Sequence, residues 1–146
     1  TGYRLPTSAE WEFAARGGSP EATSAGALSS NGLDCEPSNQ VLDEVAWFGG
    51  NSGGRAHRIA LKRPTSHGLH DVLGNVWEWT HDWDSELPPG ELIDPSGPST
   101  GIQRTNRGGG WEYRARYSRF GQRSSDDPLL RCWGLGFRIV QTLNAG

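Results

Sequence analysis

Methionine is absent from this 146-residue chain, and cysteine occurs only twice, at Cys35 and Cys132. The lack of Met and the start at Thr1 lead us to expect a natural N-terminus lost by processing or trimming. No C-x-x-C occurs, which argues against a zinc ribbon or a dithiol redox site. Two cysteines allow one bridge, Cys35 to Cys132, and no disulfide framework. No run of about 18 apolar residues exists, so no helical membrane span is expected, and no basic or signal-like segment opens the chain. Gly-x-Ser-x-Gly is missing, and with it the serine elbow. The glycine-rich stretches do not end in Gly-Lys-Ser/Thr and lack dinucleotide spacing, which excludes both phosphate-cradling loops. Nothing repeats in tandem.

What is there is glycine (21), proline (9) and tryptophan (7). That mixture predicts one loop-rich domain over residues 1–146, with a few large aromatic anchors and too much Trp for disorder. The net charge of −3 hides an asymmetry. Before Arg104 there are six basic and fourteen acidic residues; from Arg104 on, eight arginines meet only Glu112, Asp126 and Asp127. Such a tail can attract nucleic acid or anionic glycans. These arginines are spread among turn-forming residues, however, and bracing of loops is the favoured reading over nucleic-acid binding.

Arg4–Gly18 reads as a short helix. Thr7 and Glu10 have capping-box spacing after Pro6; Trp11, Ala14 and Ala15 make the apolar stripe; Gly17-Gly18 stops it. Residues 19–45 read as a long loop. Val45-Ala46-Trp47-Phe48 is a short apolar segment, and 84–101 is a loop holding Pro88, Pro89, Pro95 and Pro98. A strand is expected near Arg104. Gly108-Gly109-Gly110 then lets backbone pack close to an indole. Gly136–Val140 is expected to be a buried strand.

The densest signal is Gly68-Leu69-His70-Asp71-Val72-Leu73-Gly74-Asn75-Val76-Trp77-Glu78-Trp79. A Gly-Asn turn feeds a strand with Trp77 and Trp79 on one face, Val76 and Glu78 on the other. Asp71 and Glu78 offer two hard carboxylates near a turn, a donor set that suits calcium; the competing reading is that both pair with arginines. His67 and His70 have H-x-x-H spacing, but packing is favoured over a transition metal there.

Four blocks, in order along the chain, carry a resemblance: Arg4-Leu5-Pro6-Thr7 with Glu10-Trp11-Glu12, Gly74–Trp79, Arg107-Gly108-Gly109-Gly110-Trp111, and Gly136-Phe137-Arg138. Together they resemble the formylglycine-generating enzyme family, the sulfatase-modifying-factor domain. The resemblance implies an α+β fold, a variant of the C-type lectin fold, loop-rich with short antiparallel strands and few helices. It covers the C-terminal portion of the usual domain, whose N-terminal part is not matched. It also implies that calcium is held by Asp71, the carbonyls of Gly74 and Val76, and Glu78.

In this family two cysteines beyond the Arg-Gly-Gly block bind copper and oxidise a substrate cysteine. Here those positions fall on Tyr113 and Ser118, and neither supplies the soft thiolate that copper(I) needs. No copper and no such catalysis are expected. The related iron-dependent sulfoxide synthases of ergothioneine biosynthesis carry their metal-binding histidines on a separate helical domain, absent here. The segment 111–133 mixes Tyr, Trp, Ser, Arg and Asp, which suits a contact surface for a protein or glycan. The expected ligand-binding residues are Glu112, Tyr113, Arg114, Tyr117, Phe120, Gln122, Ser124, Ser125, Asp126, Leu130 and Trp133, while Trp111 and Phe137 are assigned to the core. One branch is especially similar: the variable proteins of diversity-generating retroelements, which diversify this segment on a fixed frame. Adenine-directed change of Asn codons does not yield Glu, Gln or Trp. Glu112, Gln122 and Trp133 are therefore template-fixed or come from other codons, unless the chain is not diversified.

Overall fold

In the computed structural model, which describes residues 2–27, 40–90 and 92–142, the chain opens with a two-residue strand β1 (Tyr3–Arg4) and the helix α1 (Ser8–Arg16). The helix begins and ends as its sequence predicts. The Thr7 side chain accepts from the Glu10 amide, the Glu10 carboxylate accepts from the Thr7 amide, and Gly17 closes the helix at φ 55°. These reciprocal bonds satisfy amides that a first turn leaves without partners. Arg4 grips both oxygens of the same carboxylate at 2.6 Å. That contact is the main reason the Glu10 carboxyl is held down at about 2. Trp11 and Ala15 enter the core, where Val45, Ala46 and Phe48 of the apolar segment join them. The stretch expected as a loop over 19–45 contains a four-residue helix, α2 (Gln40–Asp43). Cys35 lies outside the described residues, so the Cys35–Cys132 bridge is not addressed here; Cys132 is exposed.

The main sheet is built on β2 (Trp77–Trp83), with β3 (Arg104–Arg107) antiparallel beside it and β4 (Arg123–Asp126) antiparallel beyond. On its other side β5 (Leu135–Phe137) runs parallel to β2. The sheet is therefore mixed rather than wholly antiparallel. β6 (Val140–Gln141) pairs antiparallel with β1 in a separate ribbon. This corrects the buried strand expected at Gly136–Val140. The segment splits between two sheets: Phe137 ends the edge strand β5 and Ile139 lies between β5 and β6, 68 % and 56 % exposed.

The glycine run works as expected, although the indoles it meets belong to other elements. Gly108 sits at φ 95°, where a Cβ would come within 2.8 Å of the Val72 carbonyl oxygen and 3.3 Å of the Trp11 indole. A Cβ on Gly110 would lie 3.2 Å from Trp77. Only a residue without a side chain lets β3 leave the sheet across both rings.

Alternation along the strands gives the sheet two unlike faces. Glu78, Thr80 and Asp82 point toward α1 and are buried. Trp77 and Trp79 point the other way, Trp77 buried and Trp79 only partly so. The pairings Glu78–Arg107–Arg123 and Trp79–Asn106–Ser124 carry these faces across to β4.

Candidate ligand-binding face

The α1 side of the sheet is held by charge. Arg107, with its side chain 1 % exposed, forms an ion pair with Glu12 and donates to the Gln122 carbonyl at 3.0 Å. Burial lowers the pKa of this guanidinium, while the Glu12 charge works to raise it. Glu78 is the centre of a second buried set. Its Oε2 accepts from the Trp11 indole and from Arg138 Nε, and its Oε1 accepts from Arg138 Nη2, each at 2.6 Å. Arg119 donates to the Arg116 carbonyl at 2.6 Å. Arg107, Arg119 and Arg138 thus brace the fold, as their dispersion in the sequence suggests.

These bonds bear directly on calcium. The Glu78 carboxylate already holds a bidentate guanidinium and an indole N–H. Asp71 accepts the Ala60 amide at 2.7 Å. Among the described residues no three His, Cys, Asp or Glu side chains gather. The carbonyls of Gly74 and Val76 would be left to carry a hard cation whose side-chain donors are engaged elsewhere, so the arrangement does not fit calcium's demand for 6–8 oxygens. The H-x-x-H pair does not converge on a metal either, because His70 Nδ1 meets the Lys62 carbonyl at 2.9 Å.

The opposite side is aromatic. Between β3 and β4 the chain makes a single 3-10 turn at Ala115–Tyr117. This sets Tyr113 and Tyr117 edge-on to Trp77 and to each other, with ring centroids 5.5, 6.4 and 5.6 Å apart. Offset and edge contacts of this kind favour rigid packing of the rings. Arg116 lies over the Tyr117 ring at 5.2 Å. The Tyr113 hydroxyl is pushed up, first by burial and then by the charges of Glu112 and Asp126. It therefore stays a neutral donor and acceptor at ordinary pH. Ser118, the other position aligned with a family cysteine, is fully buried, with an Oγ that finds no hydrogen-bond partner.

The loop from β4 to β5 runs beside this cluster and exposes Leu129, Leu130 and Trp133 by 82 %, 40 % and 92 %. Glu112 borders its end, with Oε1 3.1 Å from the position of a Cβ on Gly134. Ser124 and Asp126 share the aromatic face, where Asn106 donates to Asp126 at 2.8 Å. A cavity of about 260 Å³ opens nearby, lined by Leu5, Trp79, His81, Arg104 and Pro128.

The structure thus brings together Glu112, Tyr113, Tyr117, Ser124, Asp126, Leu130 and Trp133, with Arg114 exposed beside them. Three expected members do not join. Phe120 is fully buried in the core beneath Arg16. Ser125 turns to the α1 side, where its hydroxyl meets Gln103 at 3.2 Å. Gln122 is half-buried and donates to the Arg123 carbonyl at 2.8 Å. Trp111, assigned to the core, is half-buried with its indole N–H enclosed. Sequence reasoning missed Trp79, Asn106 and Pro128 as parts of the face. The alternation around Trp77 signals only the first of them.

Comparison with known proteins places this geometry in a family. The chain is 39 % identical to the formylglycine-generating enzyme of Streptomyces coelicolor, over 95 % of this chain and 46 % of that protein. The solved structure of Treponema denticola variable protein 1 matches with a TM-score of 0.80 and 38 % identity, covering 94 % of this chain and 47 % of that one. PvdO from Pseudomonas aeruginosa shares the fold at a TM-score of 0.72 and 24 % identity, over 94 % of this chain and 51 % of that one. The chain spans about half the length of these relatives. The family model for the sulfatase-modifying factor enzyme 1-like domain matches residues 1–143, and the chain belongs to that family.

Proposed function

We propose that the chain is a non-catalytic binding module that receives a protein or glycan on the aromatic face. The observation that carries this reading is the Trp77–Tyr113–Tyr117 cluster, in which Tyr113 stands at one of the two positions aligned with the family's cysteines; the other is the buried Ser118. Tyrosine and tryptophan provide large, rigid contact area at low entropic cost, and the neighbouring Glu112, Ser124 and Asp126 supply adaptable hydrogen bonds. Likeness to the Treponema denticola variable protein supports the same reading and extends it to diversification of residues 112–133. Arg138, rather than calcium, is the counter-charge of Glu78 in this account.

The rival is oxidation of a cysteine substrate, favoured by the identity to formylglycine-generating enzymes. Incubation with copper(I) and a cysteine-containing sulfatase peptide separates the two. The proposal expects no formylglycine above background, whereas sustained turnover would overturn it. A glycan and protein array probed with wild type and with Tyr113→Ala/Trp133→Ala supplies the positive arm. Signals that the double variant loses support the face; signals it keeps place binding elsewhere. For diversification, the coding DNA around residues 110–138 is expected to have a near-identical repeat nearby that differs only at template adenines. Flanks without such a repeat would leave 112–133 an ordinary, undiversified loop.

A further inference from the structure

A cavity lies on the other side of the sheet, away from the aromatic cluster. It measures about 450 Å³ and sits between the first turn of α1, the ends of β2 and β4, and the proline-rich loop after β2. That volume falls in the range of small-molecule sites, about 300–1,000 Å³. Its walls are apolar, supplied by Ala9, Leu87, Pro88, Leu92, Pro95 and Pro98.

Two charged side chains of opposite sign enter these walls. Asp82, 5 % exposed, uses Oδ2 to accept the Ser8 amide at 2.6 Å, and its Oδ1 accepts no hydrogen bond among the described residues. Arg123 extends from β4 across Thr105, with Nη2 3.3 Å from the Thr105 hydroxyl and 3.6 Å from Asp84, while its Nη1 and its buried Nε find no acceptor among the described residues. The third ionisable group of the lining, Glu12, is already neutralised by Arg107 and Arg16. The cavity therefore offers an unused carboxylate oxygen and unused guanidinium N–H groups inside an apolar shell. A guest with a full charge of either sign would meet one attraction and one repulsion, and would be desolvated for no net gain. A neutral amide matches both groups, since its carbonyl accepts from Arg123 and its N–H donates to Asp82.

We propose that this cavity is a binding site for a compact, mostly apolar molecule bearing a neutral amide. The site stands independently of the aromatic face and needs no metal or cofactor.

The test uses three matched probes, 4-phenylbutanamide, 4-phenylbutanoate and 4-phenylbutylamine, titrated into the intact protein and followed by isothermal calorimetry and by the methyl NMR signals of Ala9 and Leu92. The amide is expected to bind at least about tenfold more tightly than either charged analogue and to shift both methyl signals. Two variants that fill the space from different walls, Ala9→Phe and Leu92→Trp, are expected to abolish binding while melting cooperatively. Ile59→Ala, at an exposed position outside the cavity, is expected to leave it unchanged. Equal or tighter binding of the carboxylate or the amine would overturn the proposal. So would amide binding that survives in both filled variants, or no binding of any probe at millimolar concentration.

Discussion

The two faces of the central sheet differ in what their side chains are committed to. Toward α1, the buried charges are tied to other elements: Arg107 to Glu12, Glu78 to Arg138 and Trp11, and one oxygen of Asp82 to the start of the helix. Away from α1, the rings of Tyr113 and Tyr117 touch Trp77 and each other, and Trp133 touches little. Buried ion pairs are costly to break, because removing one partner strands the other charge. Exposed aromatics on a loop can be exchanged with little effect on folding. One face is therefore built to stay fixed, and under the proposed function the other is the one open to change.

The comparison breaks most visibly at Arg107. Arg107→Ala is expected to cost about 2–4 kcal/mol, because a fully buried side chain is emptied and the Gln122 carbonyl loses its donor while Glu12 keeps only Arg16; urea unfolding measures it. A cost comparable to that of an exposed residue would show that the ion pairs do not hold the frame. Gly108→Ala comes next, at about 2 kcal/mol, from a φ of 95° and a Cβ placed 2.8 Å from the Val72 carbonyl. The same unfolding curves read it.

Smaller effects sharpen the picture at the edges of the frame. Glu10 has its carboxyl lowered from 4.5 to about 2 by Arg4. A lowered carboxyl pKa adds stability above the ordinary value that is lost as the pH falls through the lowered one. The Arg4–Glu10 contribution should thus fade between about pH 4.5 and pH 2. Because both side chains are well exposed, it is worth less than about 1 kcal/mol. Glu10→Gln should flatten that part of the stability profile. Calcium added to chelated protein should leave the melting temperature unchanged, since Glu78 is held by Arg138. A rise of several degrees would mean that the ion reaches Asp71 and Glu78 despite these partners. Trp133→Ala is expected to change stability by no more than about 0.5 kcal/mol.

What could be read in the sequence was local. Thr7 and Glu10 are three residues apart, so a capping box declares itself, and Gly17 ends the helix by its own backbone preference. The carboxylate of Glu78 is settled by Trp11 and Arg138, 67 and 60 positions away, and no spacing rule reaches that far. Ser124 and Ser125 are both expected on the binding face, but strand alternation places the two on opposite sides. Phe120 looks like its exposed neighbours in composition, and only tertiary packing puts it in the core. Phe137 and Ile139 have the apolar pattern of a core strand and lie at a sheet edge, because pattern does not report which strands find a second neighbour. The cavity between α1 and the proline-rich loop is illegible for the same reason, since its walls come from three separated segments.

The most direct test of the contrast is a pair of surface-display libraries, each sorted for folded protein and then for binding to an arbitrary panel of proteins and glycans. One randomises Glu112, Tyr113, Arg114, Tyr117, Ser124, Asp126, Leu130 and Trp133; the other randomises Glu12, Glu78, Arg107 and Arg138. The account predicts that most members of the first library fold and that binders emerge from it, while the second collapses. A first library that unfolds as often as the second, or that folds and yields no binders, would contradict it.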